Sequence, residues 1–299
     1  MGHKSFTTTT RGLHRGNPAM LLFERSKQLG MWNPSELAFR QDREDWSRLK
    51  PDEKDILLRL TAMFMAGEEA VTLDLLPLIN IVAQEGRTEE ELYLACFLFE
   101  EAKHVDFFSR VISEVFDAPP NLSAYQSPNY RIIIQEALPG ALNALRSDPS
   151  PASQVRASCV YNMIVEGMLA ETGYHAYFTI MDRFGIFPGI REGIRRVQID
   201  ESRHIAYGVY LLSRLMASDP SLWDVVEMSM NQLFTPALGV ISEIFAPYDP
   251  APFGMNQEEF AAYGTAQFQK RLDRIRRALE QSESEVNHDT EAFIQADDA

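Results

Sequence analysis

At 299 residues the chain is long enough for two average domains or one large one, and its 45% hydrophobic and 24% charged content is that of a globular protein. A net charge of −15 argues against a general nucleic-acid surface and against adhesion to anionic membranes. The only two cysteines, Cys96 and Cys159, fall in apolar helical runs and read as core residues, which argues against a disulfide framework or a thiolate metal site.

Residues 1–17 are polar, threonine-rich and aperiodic, and read as a mobile arm without the apolar stretch of a signal peptide. A short helix is predicted from Asn17-Pro18, a cap followed by proline at the first helical position, to Gly30. Trp32-Asn33-Pro34 then opens a stretch with two tryptophans, Trp32 and Trp46, and on spacing alone Trp32 is a packing anchor. The first long helix begins at Pro51, with Asp52 and Glu53 at its positive end, and runs towards Gly86 with a kink at Pro77. The second runs from Thr88 to Phe116, ahead of Asp117-Ala118-Pro119-Pro120. Further helices are expected over 130–145, interrupted near Pro139-Gly140, and over 151–184, 188–217, 222–245 and 257–279. No period-2 strand pattern and no run of 18 apolar residues occurs, so the expected protein is all-α, cytoplasmic and without stable membrane insertion. Helices interlocked across 51–217 argue for a single domain over 1–299. After Arg277 come seven acids and no Lys or Arg, which reads as a solvated, disordered tail over 280–299. Lys270, Arg271, Arg274, Arg276 and Arg277 before it read as a solvated basic face.

The chemistry sits in LACFLFEEAKHVDFF, residues 94–108, where Glu101 and His104 interrupt an apolar helix three residues apart and so share a face. A buried carboxylate needs a positive partner, and a metal ion is the usual one where an imidazole lies beside it. One Glu-x-x-His is weak evidence, but Asp200-Glu201-Ser202-Arg203-His204 repeats the spacing. Each copy also follows, by a little over thirty positions, an acid in an apolar helix: Glu68 before the first and Glu166 before the second. Glu, Glu-x-x-His, Glu, Glu-x-x-His is the ligand inventory of a carboxylate-bridged dimetal site in a four-helix bundle. Four carboxylates and two imidazoles suit iron and manganese. The hundred-residue offset between the copies suggests an old duplication of a two-helix unit.

Local register stays open on spacing alone. Glu100 and Asp200 stand four residues before their histidines, Glu69 competes with Glu68, and Glu171 with His175 forms a rival pair. Tyr161, five residues before Glu166, and Val71, three after Glu68, read on spacing alone as core residues. His3, His14 and His288 sit in polar ends and receive no role.

These residues resemble the ribonucleotide reductase small-subunit superfamily, over about 18–245. Trp32-Asn33-Pro34 is similar to its Trp-x-Pro motif, and Ala66–Thr72, Glu101–His104 and Tyr161–Gly167 resemble its ligand-binding oxidase branch. The resemblance implies a ferritin-like bundle with additional helices and the metal ligands Glu68, Glu101, His104, Glu166, Glu201 and His204. It implies a mixed centre, manganese on Glu68, Glu101 and His104 and iron on Glu166, Glu201 and His204, bridged by Glu101; two irons are the alternative. It further implies activation of dioxygen, an ether crosslink joining Val71 to Tyr161, a long-chain fatty acid or similar lipid bound at the metals, and a homodimer. Asp200 and Trp32 would stand behind the ligands along the superfamily's electron route.

Two alternatives carry weight. A reductase small subunit often has its radical tyrosine four residues after the first histidine, where this chain has Phe108, and a relay tyrosine near its C-terminus, where none follows Tyr263. A ferritin-like iron store would need a cage-forming assembly, which the long chain and the Trp32 motif do not suggest.

Overall fold

The structure is a computed structural model describing residues 5–116, 118 and 121–296; Asp117, Pro119 and Pro120 of the expected turn, and His3, lie outside it. Among the described residues there are helices and loops and no strand, as the all-α reading requires. Helix α1 spans Pro18–Leu29, with Asn17 capping it through the Ala19 N–H, as predicted. Next come α2 (Arg40–Arg48), α3 (Pro51–Asp74), α4 (Leu76–Gln84) and α5 (Thr88–Glu114). The helix expected to kink at Pro77 instead breaks at Leu75, so that the proline lies in the first turn of α4, where its missing N–H costs nothing.

Helix α6 covers 128–144 and α7 covers 151–184; each contains a stretch of π-winding, over Ile132–Ala137 and Cys159–Ala170. Then come α8 (Pro188–Ser218), α9 (Trp223–Phe245), α10 (Gln257–Arg277) and α11 (Glu283–Ala296). The start of α8 is fixed from α2: Asp42 accepts from the Gly189 and Ile190 N–H groups at 3.1 and 2.7 Å, and Asp45 from the Phe187 N–H at 2.9 Å. Carboxylates at a helix N-terminus satisfy its free donors and its dipole.

Helices α3, α5, α7 and α8 pack around one another, with α1 against α5 and α8, and α9 and α10 against α7. Their apolar side chains form two clusters. One holds Phe97, Tyr161 and Tyr207; the other holds Leu57, Phe107, Tyr177 and Ile194. Each of the four helices passes from one cluster into the other, and the acids and histidines predicted as ligands lie where they cross.

Three further expectations fail. Over 283–296 the acidic tail is the helix α11, which packs on α8 and α1 with Val286 and Ile294 buried. Its sparse apolar residues suffice because a ready-made groove receives them; residues 297–299 lie outside the described chain. The arm is also docked from residue 5 onwards: Arg11 binds Glu89 through two hydrogen bonds of 2.8 and 2.9 Å, and the His14 N–H donates to the same carboxylate at 2.8 Å. Nor is the basic face before the tail wholly solvated, since Arg271 is buried and lies 3.9 Å from Glu171.

Candidate metal centre

Six side chains meet at the crossing point, all at most 5% exposed: Glu68 from α3, Glu101 and His104 from α5, Glu166 from α7, Glu201 and His204 from α8. They fall into two groups whose ligand atoms lie within 4.8 Å of one another: Glu68, Glu101, His104 and Glu201, and Glu101, Glu166, Glu201 and His204. Glu101 and Glu201 belong to both. Glu201 Oε1 is 3.3 Å from His104 Nδ1 and 3.5 Å from His204 Nδ1, so Glu201 reaches both groups as well as Glu101, the bridge expected from the resemblance.

Orphaned atoms test whether a metal pair fits. Glu101 Oε2, His104 Nδ1, Glu166 Oε1, Glu201 Oε2 and His204 Nδ1 are all buried without a hydrogen-bond partner. Buried polar atoms are rarely left so, and here five converge on one place with the lone pairs a metal ion takes. The donor set fits two hard or borderline cations.

Left to itself, the cluster balances its charge with protons. Burial pushes the Glu68 and Glu166 carboxyls well above their ordinary range. Burial would raise Glu101 too, but the His104 and His204 imidazoles, within 3.7 and 3.2 Å of its oxygens, outweigh it and hold that carboxyl low. Both imidazoles, despite burial, are pushed up by the acids around them, foremost Glu68 for His104 and Glu201 for His204.

The outer ring nitrogens are held crosswise. His104 of α5 has Nε2 at 3.2 Å from Asp200 Oδ2 of α8, while His204 of α8 has Nε2 at 2.9 Å from Glu100 Oε2 of α5. The acid beside each Glu-x-x-His therefore serves the other helix's histidine and leaves both Nδ1 atoms facing inward. Asp200 also accepts from Trp32 Nε1 at 2.8 Å, from Lys103 Nζ at 2.9 Å and, on its other oxygen, from Arg203 Nη2 at 2.5 Å. Arg203 Nη2 donates as well to Glu100 at 2.7 Å, tying the two acids together. A Cβ on Gly30 would stand 1.9 Å from Glu100 Oε1, so the end of α1 must be glycine for this pair to fit. Asp200 and Trp32 were expected near the ligands; Glu100 was read only as a rival ligand. The repeated acid-Glu-x-x-His pattern held the missing signal, because a partner for one histidine implies one for the other.

The winding of α7 explains Tyr161. In α register a residue five before Glu166 points away from it, but the π-stretch closes its hydrogen bonds at i→i+5 and brings both to the site. The Tyr161 hydroxyl lies 3.2 Å from the Val71 carbonyl oxygen and 3.3 Å from Glu101 Oε1. Asn162 of the same stretch donates to Glu166 Oε2 at 2.9 Å and accepts from Ser158 at 2.8 Å, a support that spacing did not reveal. The rivals are elsewhere: Glu69 is exposed, and His175 stacks on Tyr263 with centroids 4.2 Å apart. Phe108 is buried and stacks on Phe64 at 5.1 Å.

An apolar cavity opens from the cluster. Glu68, Glu101, Glu166, Glu201 and Val71 line one part, and Leu60, Met63, Phe64, Ile56, Phe245 and Met255 line the rest. Ile56 and Glu68 are twelve residues apart on α3, which is roughly 18 Å of helix axis.

Comparison with known proteins agrees with this arrangement. Residues 20–278 match the family described as ribonucleotide reductase, small chain. An R2-like ligand-binding oxidase with aerobically reconstituted Mn/Fe cofactor is 36% identical, with a TM-score of 0.88 over 92% of this chain and 98% of that one. A tyrosine-to-phenylalanine mutant of an R2-like ligand-binding oxidase, with the same cofactor, is 37% identical at a TM-score of 0.86, covering 91% of this chain and 98% of that one. A glycine-to-leucine mutant with anaerobically reconstituted cofactor is 36% identical at 0.87, covering 92% and 98%. The chain therefore belongs to the ribonucleotide reductase small-chain family and, within it, to the R2-like ligand-binding oxidases, which are dimetal oxidoreductases.

Proposed function

We propose that this protein is an oxygen-dependent oxidase that holds one manganese and one iron ion, binds a long-chain fatty acid or similar lipid, and joins Val71 to Tyr161 by an ether bond. The observation that carries the reading is the position of the Tyr161 hydroxyl between Glu101 and the Val71 backbone, two residues that also line the apolar cavity. In this reading Glu68, Glu101 and His104 hold manganese, Glu166, Glu201 and His204 hold iron, and both Glu101 and Glu201 reach between the two sites. The bound pair supplies the capacity to reduce dioxygen.

The chain's own residues do the rest. Glu100 and Asp200 fix the imidazoles with Nδ1 inward, Asn162 aims Glu166, and Trp32 on Asp200 begins the electron route. The apolar wall excludes water and takes an acyl chain, whose carboxylate belongs at the metal end. The ether bond forms with loss of one hydrogen from the Val71 side chain and one from the Tyr161 hydroxyl, a two-electron oxidation with dioxygen as acceptor. The homodimer belongs to the same proposal and is tested by sedimentation.

Peptide mass spectrometry tests the reading, after anaerobic loading with manganese and iron and exposure to air. The expected product is one species joining the Val71 and Tyr161 peptides, two hydrogens short of their sum. Separate, unmodified peptides from a metal-loaded, oxygen-reacted sample would overturn it.

A further inference from the structure

The side of the cluster opposite Trp32 carries a row of rings that the crosslink does not use. Phe97 lies face to face on the His204 imidazole, centroids 3.6 Å apart and planes 10° apart. Tyr93 meets Phe97 edge-on at 6.0 Å, and Tyr207 lies 5.3 Å from Tyr93. All are fully buried. The row ends on a carboxylate: the Tyr207 hydroxyl donates to Glu90 Oε2 at 3.1 Å. Glu90 is 1% exposed and is gripped by Arg214 at 3.1 Å and by Arg87 at 3.3 Å, and the Arg87 side chain is 37% exposed. The Glu90 carboxylate thus stands within hydrogen-bond reach of the phenol, with an acceptor oxygen placed for its proton. Tyr177 and Tyr130, also buried, lack such an acceptor: Tyr177 pairs with Thr61 at 2.6 Å, and Tyr130 donates to the Met63 carbonyl at 2.6 Å.

We propose that Tyr93 and Tyr207 form an oxidation relay, in which Tyr207 gives one electron through Tyr93 and Phe97 to the dimetal site and its phenolic proton to Glu90. The proposal rests on the oxygen chemistry above, and the oxidant is dioxygen. Reducing dioxygen to two waters takes four electrons. The metal pair, rising by one charge each, covers two, and the Val71–Tyr161 bond covers the other two. When that bond is already made, or cannot form, its share is missing. The relay step then supplies one of the two missing electrons by breaking the Tyr207 O–H bond: the electron goes to the site, the proton converts the Glu90 carboxylate to the acid, and a neutral phenoxyl remains, while the second electron is drawn from an external one-electron reductant. Burial, with the Glu90 charge next, holds the Tyr207 phenol well above its ordinary range, so the proton leaves together with the electron. Tyr93 has no partner for its hydroxyl, so it passes the electron on and does not keep the radical.

The test uses the full chain with ring-deuterated tyrosine, loaded anaerobically with manganese and iron, exposed to dioxygen, freeze-quenched and read by electron paramagnetic resonance. The background is Tyr161→Phe, which cannot form the ether. A tyrosyl signal is expected there, kept when Tyr177→Phe is added and lost when Tyr207→Phe is added. Adding Glu90→Gln keeps Tyr207 but removes the acceptor, and is expected to abolish the signal while metal content stays at the background level; it decides the matter if the Tyr207 variant fails to hold metal. Dioxygen uptake without a tyrosyl signal, or a signal that survives Tyr207→Phe, overturns the relay and leaves the oxidase reading intact. No dioxygen uptake in any metal-loaded sample, parent chain included, sinks both.

Discussion

His104 and His204 point Nδ1 inward, with each outer nitrogen held by an acid from the other's helix. An imidazole free to rotate, or protonated on the wrong nitrogen, offers the centre no lone pair. Asp200→Asn and Glu100→Gln should each weaken metal binding by about 10–100-fold with the helices intact, as read by titration against a competing chelator. An unchanged affinity in both would show that the crosswise contacts do not orient the rings. At this scale the sequence was most legible. Two copies of Glu-x-x-His, each behind a buried acid, identified the cluster, because a buried carboxylate has so few ways to be stable. What stayed hidden was direction: neighbours on a helix point about 100° apart, so Glu100 and Glu101 look alike in sequence but meet different ring nitrogens of His204 in the fold.

Between residue and fold, winding and docking decide what spacing cannot. Polarity patterns report which side of a helix is buried, and an α-helix and a π-helix with every residue buried give the same pattern. Over Cys159–Ala170 ten of twelve residues are buried, so nothing in the sequence marked the wider turns that deliver Tyr161 to the site. The N-terminal arm was illegible for another reason: its anchor, Glu89, is remote in sequence, in the first turn of α5. The Arg11 hydrogen bond, helped by the His14 N–H and outweighing burial, holds Glu89 at about 2 against an ordinary 4.5. A depressed carboxylate stabilises the folded arm above its unfolded value and loses that contribution as pH falls through the folded one. The arm should therefore stay docked at neutral pH and come free between about pH 4.5 and 2, with Arg11→Ala abolishing the dependence. Fluorescence anisotropy of a label at Ser5 checks it; anisotropy flat across that range in the parent chain would contradict it.

At the level of the whole molecule, the four ligand helices join two apolar clusters across a polar seam. The seam is costly until its charge is matched, since four inward carboxylates face two imidazoles in a region closed to water. Manganese and iron should therefore stabilise the fold. With free metal at a thousand times its dissociation constant the gain is roughly 4 kcal/mol, seen as a higher thermal midpoint that a chelator reverses. A midpoint indifferent to metal would mean that the cluster is not where metal binds. The all-helical architecture was readable from periodicity, but the clusters were not, nor the docking of α11, because both depend on which distant surfaces meet. The crosswise wiring has one more consequence, in time. A ribosome making this chain releases Glu101 and His104 a hundred residues before Glu201 and His204, and Glu68 earlier still. Until α8 emerges, His104 lacks Asp200 to turn it and Glu101 lacks its counterpart, so the nascent chain presents no finished half-site. The complete donor set therefore exists only once the bundle has closed.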